Sequence, residues 1–157
     1  MTDIISVVIA LILAAVAAVQ DLKTFRISNR LIVIGVLTGI CTIIMRVFTG
    51  GHIGSYILGT LAGLAGMMLL YIMKAVGAGD VKLFAVLGLF IGLELVVQLM
   101  IVSLITGLLT GIVELCLKKT KEVSMGSSGI KTHGFHYAAG ILIGYVVVLV
   151  YRIVVFL

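Results

Sequence analysis

The segment Val76–Leu83, with the sequence VGAGDVKL, decides the fold predicted for this chain. It places the carboxylate of Asp80 directly after Gly77 and Gly79, at the start of an apolar run that continues to Leu117. Ionisable groups at the edge of a membrane segment are costly and are usually functional. Asp80 is therefore the first candidate for a functional residue, and the run after it indicates a membrane.

The composition also indicates a membrane protein. Of the 157 residues, 62% are hydrophobic and 11% are charged, whereas soluble proteins are roughly half apolar and about a quarter charged. Because so few charged residues cannot cover a water-exposed surface, lipid is the expected solvent. Lys and Arg fall in loops rather than along one face with aromatics, which argues against nucleic acid as a partner. Since no linker divides the chain, we expect one membrane domain over residues 1–157.

Apolar runs of about 20 residues are typical of membrane helices. The runs cover about Ile4–Gln20, Leu31–Phe48, Ile53–Met73, Val81–Leu117 and Tyr137–Leu157. The fourth run is too long for one crossing at about 1.5 Å per residue. Gly88, Gly92, Glu94 and Gln98 mark its expected break, with a fifth helix from about Leu95. The predicted fold is an all-α bundle of about six transmembrane helices, with a loop over Val123–His136 before the last one.

Basic residues predict the orientation of this bundle. With six helices, Arg46 and Arg152 fall on one side of the membrane, and the other nine Lys and Arg fall on the opposite side. Cytoplasmic loops carry the excess of Lys and Arg in membrane proteins. We therefore expect the first, third and fifth loops in the cytoplasm and both termini outside. The basic side comprises Lys23, Arg26, Arg30, Lys74, Lys82, Lys118, Lys119, Lys121 and Lys131.

Two of the six acidic residues border apolar helices on this basic side. Asp21 follows the first run immediately, and Asp80 precedes the fourth. An ordinary explanation exists for each, because Asp80 could cap its helix and Asp21 could balance the loop cations Lys23 and Arg26. A paired function is the alternative hypothesis.

Gly77 and Gly79 favour the functional hypothesis. They leave the backbone before Asp80 bare, so that another backbone could come close. An exposed cap needs no such approach, whereas a peptidase that binds its substrate as an extended strand does. The glycines are therefore candidate substrate-binding or site-shaping residues, together with Lys82, which either marks the cytoplasmic helix end or tunes the carboxylates.

Two neighbouring carboxylates supply the chemistry of an aspartyl peptidase. Both cannot ionise when they lie a few ångströms apart, so one keeps a proton while the other stays a base. The base takes a proton from water, which attacks the scissile carbonyl, and the acid protonates the carbonyl oxygen. This chemistry requires no cofactor and no metal. Cys41 and Cys116 are solitary in apolar runs, which indicates buried hydrophobic residues rather than zinc ligands.

In these residues the chain resembles the type IV prepilin peptidases, which are GxGD intramembrane aspartyl proteases. Gly77–Leu83 resembles the second catalytic motif of that family. The segment Gly88–Gly92 after it resembles the segment that commonly follows this motif in the family. Asp21 with Ile27-Ser28-Asn29 resembles the first motif, although Ser28 stands where the family usually has proline. Residues 134–140 loosely resemble the segment before the last helix of the family.

The resemblance implies a plasma-membrane endopeptidase that cleaves the leaders of prepilin or pseudopilin precursors at the cytoplasmic face. Asp21 and Asp80 would be its catalytic pair. The Cys-x-x-Cys domain of the larger bifunctional members has no counterpart in the sequence, so the short branch without N-methyltransferase activity is expected. Membrane lipid is the other expected partner.

Two other classes of protein stay open at this stage. A small transporter with glycine-broken helices would place its charges near the bilayer midplane, whereas Asp21 and Asp80 sit at helix ends. A non-catalytic subunit of a secretion system is the third hypothesis, although a retained carboxylate pair would have no evident purpose in it.

Overall fold

The described part of the chain forms five long helices and one short hairpin. The computed structural model describes residues 2–24, 26–116, 121–124, 131–134 and 137–156. The helices are α1 (Thr2–Thr24), α2 (Asn29–Phe48), α3 (Gly54–Ile72), α4 (Ala78–Cys116) and α5 (Tyr137–Phe156). All five are long and apolar enough to cross a membrane. The protein is therefore an all-α, multi-pass membrane protein, as its composition predicts.

Helix α4 breaks at Gly92, within the stretch where the sequence predicts a break. Gly92 has φ 76° and ψ 179°, a conformation that residues with a side chain rarely adopt. The backbone N–H of Leu93, which begins the second segment, donates to Ser55 Oγ at 3.2 Å. Because helix N-termini leave such N–H groups without an intrahelical partner, this bond stabilises the restart of the helix.

The two segments of α4 run in opposite directions along α3. A Cβ placed on Gly63 would lie 2.7 Å from the carbonyl oxygen of Phe84 and 3.4 Å from Val96 Cγ2. Phe84 and Val96 lie on opposite sides of the break, so both segments pass the same level of α3. The five observed helices thus give six helical rods, in agreement with the predicted bundle of about six.

Glycines set the packing distances in this bundle. A Cβ on Gly59 would lie 2.6 Å from the backbone carbon of Gly92, and one on Gly140 would lie 2.7 Å from Gly107 Cα. Without these side chains α3 approaches α4, and α4 approaches α5, at backbone contact. Small residues serve this purpose in membranes, where lipid is as apolar as the helix surfaces and dispersion contacts hold helices together.

A buried arginine joins three helices at the end of the bundle where α1 begins. Arg46 of α2 is 5% exposed. It donates through Nη1 to Tyr56 Oη at 2.6 Å and through Nη2 to Ser6 Oγ at 2.9 Å. Its guanidinium also lies 3.9 Å from the centroid of the Tyr56 ring, a favourable cation–π distance. This end is therefore closed by polar contacts within the protein.

Three details differ from the sequence predictions. Helix α1 continues to Thr24 rather than ending near Gln20, and Thr24 Oγ1 donates to the Gln20 carbonyl in this last turn. An antiparallel hairpin of β1 (Lys121–Ser124) and β2 (Lys131–Gly134) overlaps the segment Val123–His136 that was predicted as a loop. Cys41 and Cys116 are exposed rather than buried, since their faces of α2 and α4 point away from the bundle.

Candidate active site

The two candidate aspartates lie at the same end of the bundle on different helices. Asp21 belongs to the last turn of α1 and Asp80 to the first turn of α4. Each residue is 8% exposed. The carboxyl groups are close enough for the charge of Asp21 to act on Asp80. The helices thus bring together two carboxyl groups that are far apart in the sequence.

Asp80 is held by the glycine segment that precedes it. Its Oδ2 atom accepts a hydrogen bond from the backbone N–H of Gly77 at 3.1 Å. Helix α4 begins at Ala78, so Asp80 reaches back from the third helical residue to the residue before the helix. A carboxylate at this position commonly closes the start of a helix in this way. Asp80 thus accepts from a residue that precedes the helix. An N-cap residue would instead accept from an N–H later in the first turn.

Asp21 is held by the last helix. Its Oδ2 atom accepts a hydrogen bond from the backbone N–H of Ala138 at 3.2 Å. Ala138 lies in the first turn of α5, where the N–H groups have no partner within the helix. The positive end of the α5 dipole stabilises a negative charge at this position. Helix α5 therefore orients the Asp21 carboxyl group.

Tyr137, at the start of α5, adds a buried phenol to the same region. It is 5% exposed, and its hydroxyl lies 3.3 Å from Ser103 Oγ. A Cβ on Gly107 would lie 2.5 Å from the ring, so the missing side chain at Gly107 makes room for it. Tyr137 directly precedes Ala138, whose N–H binds Asp21, so the phenol belongs to the same turn of α5 as that contact.

The loop after α1 contacts the glycine segment directly. A Cβ on Gly79 would lie 3.1 Å from Ile27 Cβ, so the bare side of Gly79 faces Ile27. Lys82 Nζ donates to Asn29 Oδ1 at 3.1 Å. The two sequence motifs thus form one unit in the structure, and the glycines face residues of the chain itself.

A groove runs between α1 and α2 next to this unit. Its volume is about 690 Å³. The walls combine apolar side chains with polar ones that belong to the site loop: Val16, Gln20, Ser28, Asn29, Arg30, Leu31 and Ile34. In the part of the chain that the structure describes, no three His, Cys, Asp or Glu residues are grouped as metal ligands would be.

The amino-acid sequence matches a model of a known protein family. Residues 8–112, more than half of the chain, match the type IV leader peptidase family. The chain belongs to this family. No curated protein and no solved structure matches it. The matched range includes Asp21 and Asp80 and ends before α5, so the hydrogen bond from α5 to Asp21 is seen only in the structure.

In this leader peptidase family member, the residues singled out from the sequence lie together. Asp21, Asp80, Gly77 and Gly79 form the centre, and Lys82 lies at its edge, where it contacts Asn29 rather than either carboxylate. Sequence reasoning did not single out Gln20, Asn29, Tyr137 or Ala138. Asn29 carried a signal as part of the first motif, whereas Ala138 contributes a backbone N–H that no side-chain pattern could indicate.

Proposed function

We propose that this membrane peptidase is an aspartyl endopeptidase that removes the leader from type IV prepilin or pseudopilin precursors, with Asp21 and Asp80 as its catalytic pair. The observation that carries the proposal is the position of these two buried carboxyl groups, in the last turn of α1 and the first turn of α4 at one end of the bundle. Membership of the type IV leader peptidase family supports the class of substrate.

The proposed reaction uses one proton shared by the pair. The ionised carboxylate removes a proton from a water molecule, whose oxygen attacks the scissile carbonyl carbon. The protonated carboxyl group donates its proton to the carbonyl oxygen, giving a tetrahedral intermediate. This intermediate collapses when the carboxyl group that took the water proton donates it to the leaving nitrogen, the C–N bond breaks, and the other carboxylate takes up the proton of one hydroxyl as the carbonyl re-forms. The pair ends with one proton, as it began, and no covalent enzyme intermediate forms.

The groove between α1 and α2 supports an approach for the precursor. It includes Gln20 and Asn29, which lie directly beside the site. Because Asp21 and Asp80 are each only 8% exposed, a peptide must enter between helices to reach them. We propose that the precursor enters through this groove, and that Gly77, Gly79 and Lys82 shape the site by holding Asp80 and the α1–α2 loop.

The distribution of charge supports a cytoplasmic location of the site in the plasma membrane. Asp21 and Asp80 lie at the end of the bundle that carries the α1–α2 loop, with Lys23, Arg26 and Arg30. Basic loops remain on the cytoplasmic side, and anionic lipid of the inner leaflet attracts them. Both termini then lie outside.

Co-expression with a type IV pilin precursor tests the proposal. We expect the precursor to shift to the size of the mature pilin, with a single new N-terminus by mass spectrometry, only when the peptidase is present. Asp80→Asn should leave the precursor intact at equal membrane abundance. Glu94→Gln is the matched control, because Glu94 pairs with Arg152 at the opposite end, and it should process normally. Processing by Asp80→Asn would overturn the proposal.

A further inference from the structure

Ser28 has the backbone conformation of a proline in a chain that contains no proline. Its φ is −71° and its ψ is 138°, and a proline ring fixes φ close to this value. A serine at this position differs from a proline in two ways. Its φ is free to change, and its backbone N–H is available to a hydrogen-bond partner.

Gln20 supplies that partner. The backbone N–H of Ser28 donates to Gln20 Oε1 at 3.0 Å. The Ser28 hydroxyl oxygen accepts from the Leu31 N–H at 3.3 Å, which caps the start of α2. Ser28 is therefore held on one side by α1 and on the other side by α2. Gln20 is partly buried, so its side chain is more restricted than one in open solvent.

This bond closes a ring of contacts that joins the two candidate catalytic residues. Gln20 directly precedes Asp21, and Ile27 directly precedes Ser28. Ile27 packs against Gly79, which directly precedes Asp80. The path from Asp21 to Asp80 through the loop thus contains two non-covalent contacts, the Gln20–Ser28 hydrogen bond and the Ile27–Gly79 packing contact.

We propose that Gln20 is a positioning residue that fixes the α1–α2 loop through the Ser28 N–H, in place of a proline ring, and so sets the spacing of Asp21 and Asp80. The effect on catalysis rests on the proposed function of the pair. The effect on the loop does not, because it concerns how residues 26–28 are held, whatever the site does.

Two substitutions and their combination test this role. Gln20→Ala removes the acceptor, and Ser28→Pro removes the N–H while fixing φ at the observed value. We expect Gln20→Ala to lower kcat for a pilin precursor roughly three- to ten-fold, the range for the loss of one hydrogen bond, with KM unchanged. In the Ser28→Pro background the same substitution should change kcat less than about two-fold, because coupled residues are not additive. Gln98→Ala, at the other glutamine of the chain, is the matched control and should have no effect.

Trypsin cleavage of the protein in nanodiscs gives a readout that is independent of catalysis. Arg26 is exposed in this loop, and Gln20→Ala should accelerate cleavage after it, whereas Gln98→Ala should not. Adding Ser28→Pro should restore the slow rate. Equal cleavage rates of Gln20→Ala and the native protein would overturn the proposal, even if the proline variants failed to fold. Faster cleavage in Gln20→Ala with no turnover by the native protein would contradict the proposed function and leave the loop role supported.

A higher KM for Gln20→Ala with an unchanged kcat would also contradict the positioning role. It would show that Gln20 contacts the precursor in the groove that it lines, a function that a proline at residue 28 could not replace. Full additivity of Gln20→Ala and Ser28→Pro in kcat would contradict the proposal in the same way, since the two residues would then act separately.

Discussion

The backbone N–H of Ala138 donates a 3.2 Å hydrogen bond to Asp21, which lies 117 residues earlier in the chain. One end of the bond is in the first turn of α5 and the other in the last turn of α1. The contact makes the docking of α5 part of the candidate site. Changes that displace α5 should therefore affect the aspartate pair as well as the stability of the bundle.

Gly140→Ala should displace α5 from α4. A Cβ at this position would lie 2.7 Å from Gly107 Cα and 2.9 Å from Gly107 N, and backbone atoms cannot move aside as a flexible side chain can. We expect a loss of about 1–3 kcal/mol in the free energy of unfolding, as for other overpacked positions, together with lower peptidase activity. Thermal unfolding in detergent measures the first effect.

The matched control is Gly54→Ala. No atom lies within 4 Å of a Cβ at Gly54, so this substitution adds a methyl group to open space. Its melting temperature should equal that of the native protein. If Gly54→Ala lost as much stability as Gly140→Ala, the loss would come from replacing a glycine at any position. The close approach of α4 and α5 would then not explain it.

The hydrogen bond from Lys82 to Asn29 should couple the two sequence motifs. Asn29→Ala and Lys82→Met each remove the 3.1 Å contact, so the double variant should lose little more than either single one. For an exposed pair we expect a coupling of about 0.5–1 kcal/mol in kcat/KM. Combining Lys82→Met with Gln98→Ala should be additive. Additive losses for Asn29 and Lys82 would show that the bond does not link the motifs during catalysis.

The proposed orientation can be measured with a membrane-impermeant thiol reagent. In a chain carrying Cys41→Ser and Cys116→Ser, single cysteines are introduced as His52→Cys or Ala75→Cys, both at exposed turn positions. His52→Cys should react in intact cells, because the α2–α3 turn lies outside. Ala75→Cys should react only after the membrane is opened. The reverse pattern would place the candidate site on the outer face.

The sequence predicted the helices well because each apolar run must cross the membrane to bury itself in lipid. It also located the break in α4, where Gly92 permits a backbone conformation that other residues avoid. The end of α1 was predicted too early, since Asp21 and Lys23 were interpreted as loop residues, whereas they lie in the last turn of the helix. The hairpin before α5 was missed because its strands are only four residues long.

The partners of the two aspartates were harder to predict than the aspartates themselves. Asp21 and Asp80 are marked by their charge at the ends of apolar runs. Their partners include the backbone N–H groups of Gly77 and Ala138, which every residue except proline possesses. Only the three-dimensional path of the chain determines which of these groups reaches a carboxylate.

The central claim is that Asp21 and Asp80 together activate the water that cleaves the precursor. The most direct measurement is the turnover of a purified pilin precursor by the peptidase in liposomes, comparing the native protein with Asp21→Asn and Asp80→Asn. Each variant should keep the native melting temperature and lose at least roughly 100-fold in kcat, the lower range for a general acid or base. Cleavage at the native rate by either folded variant would contradict the claim.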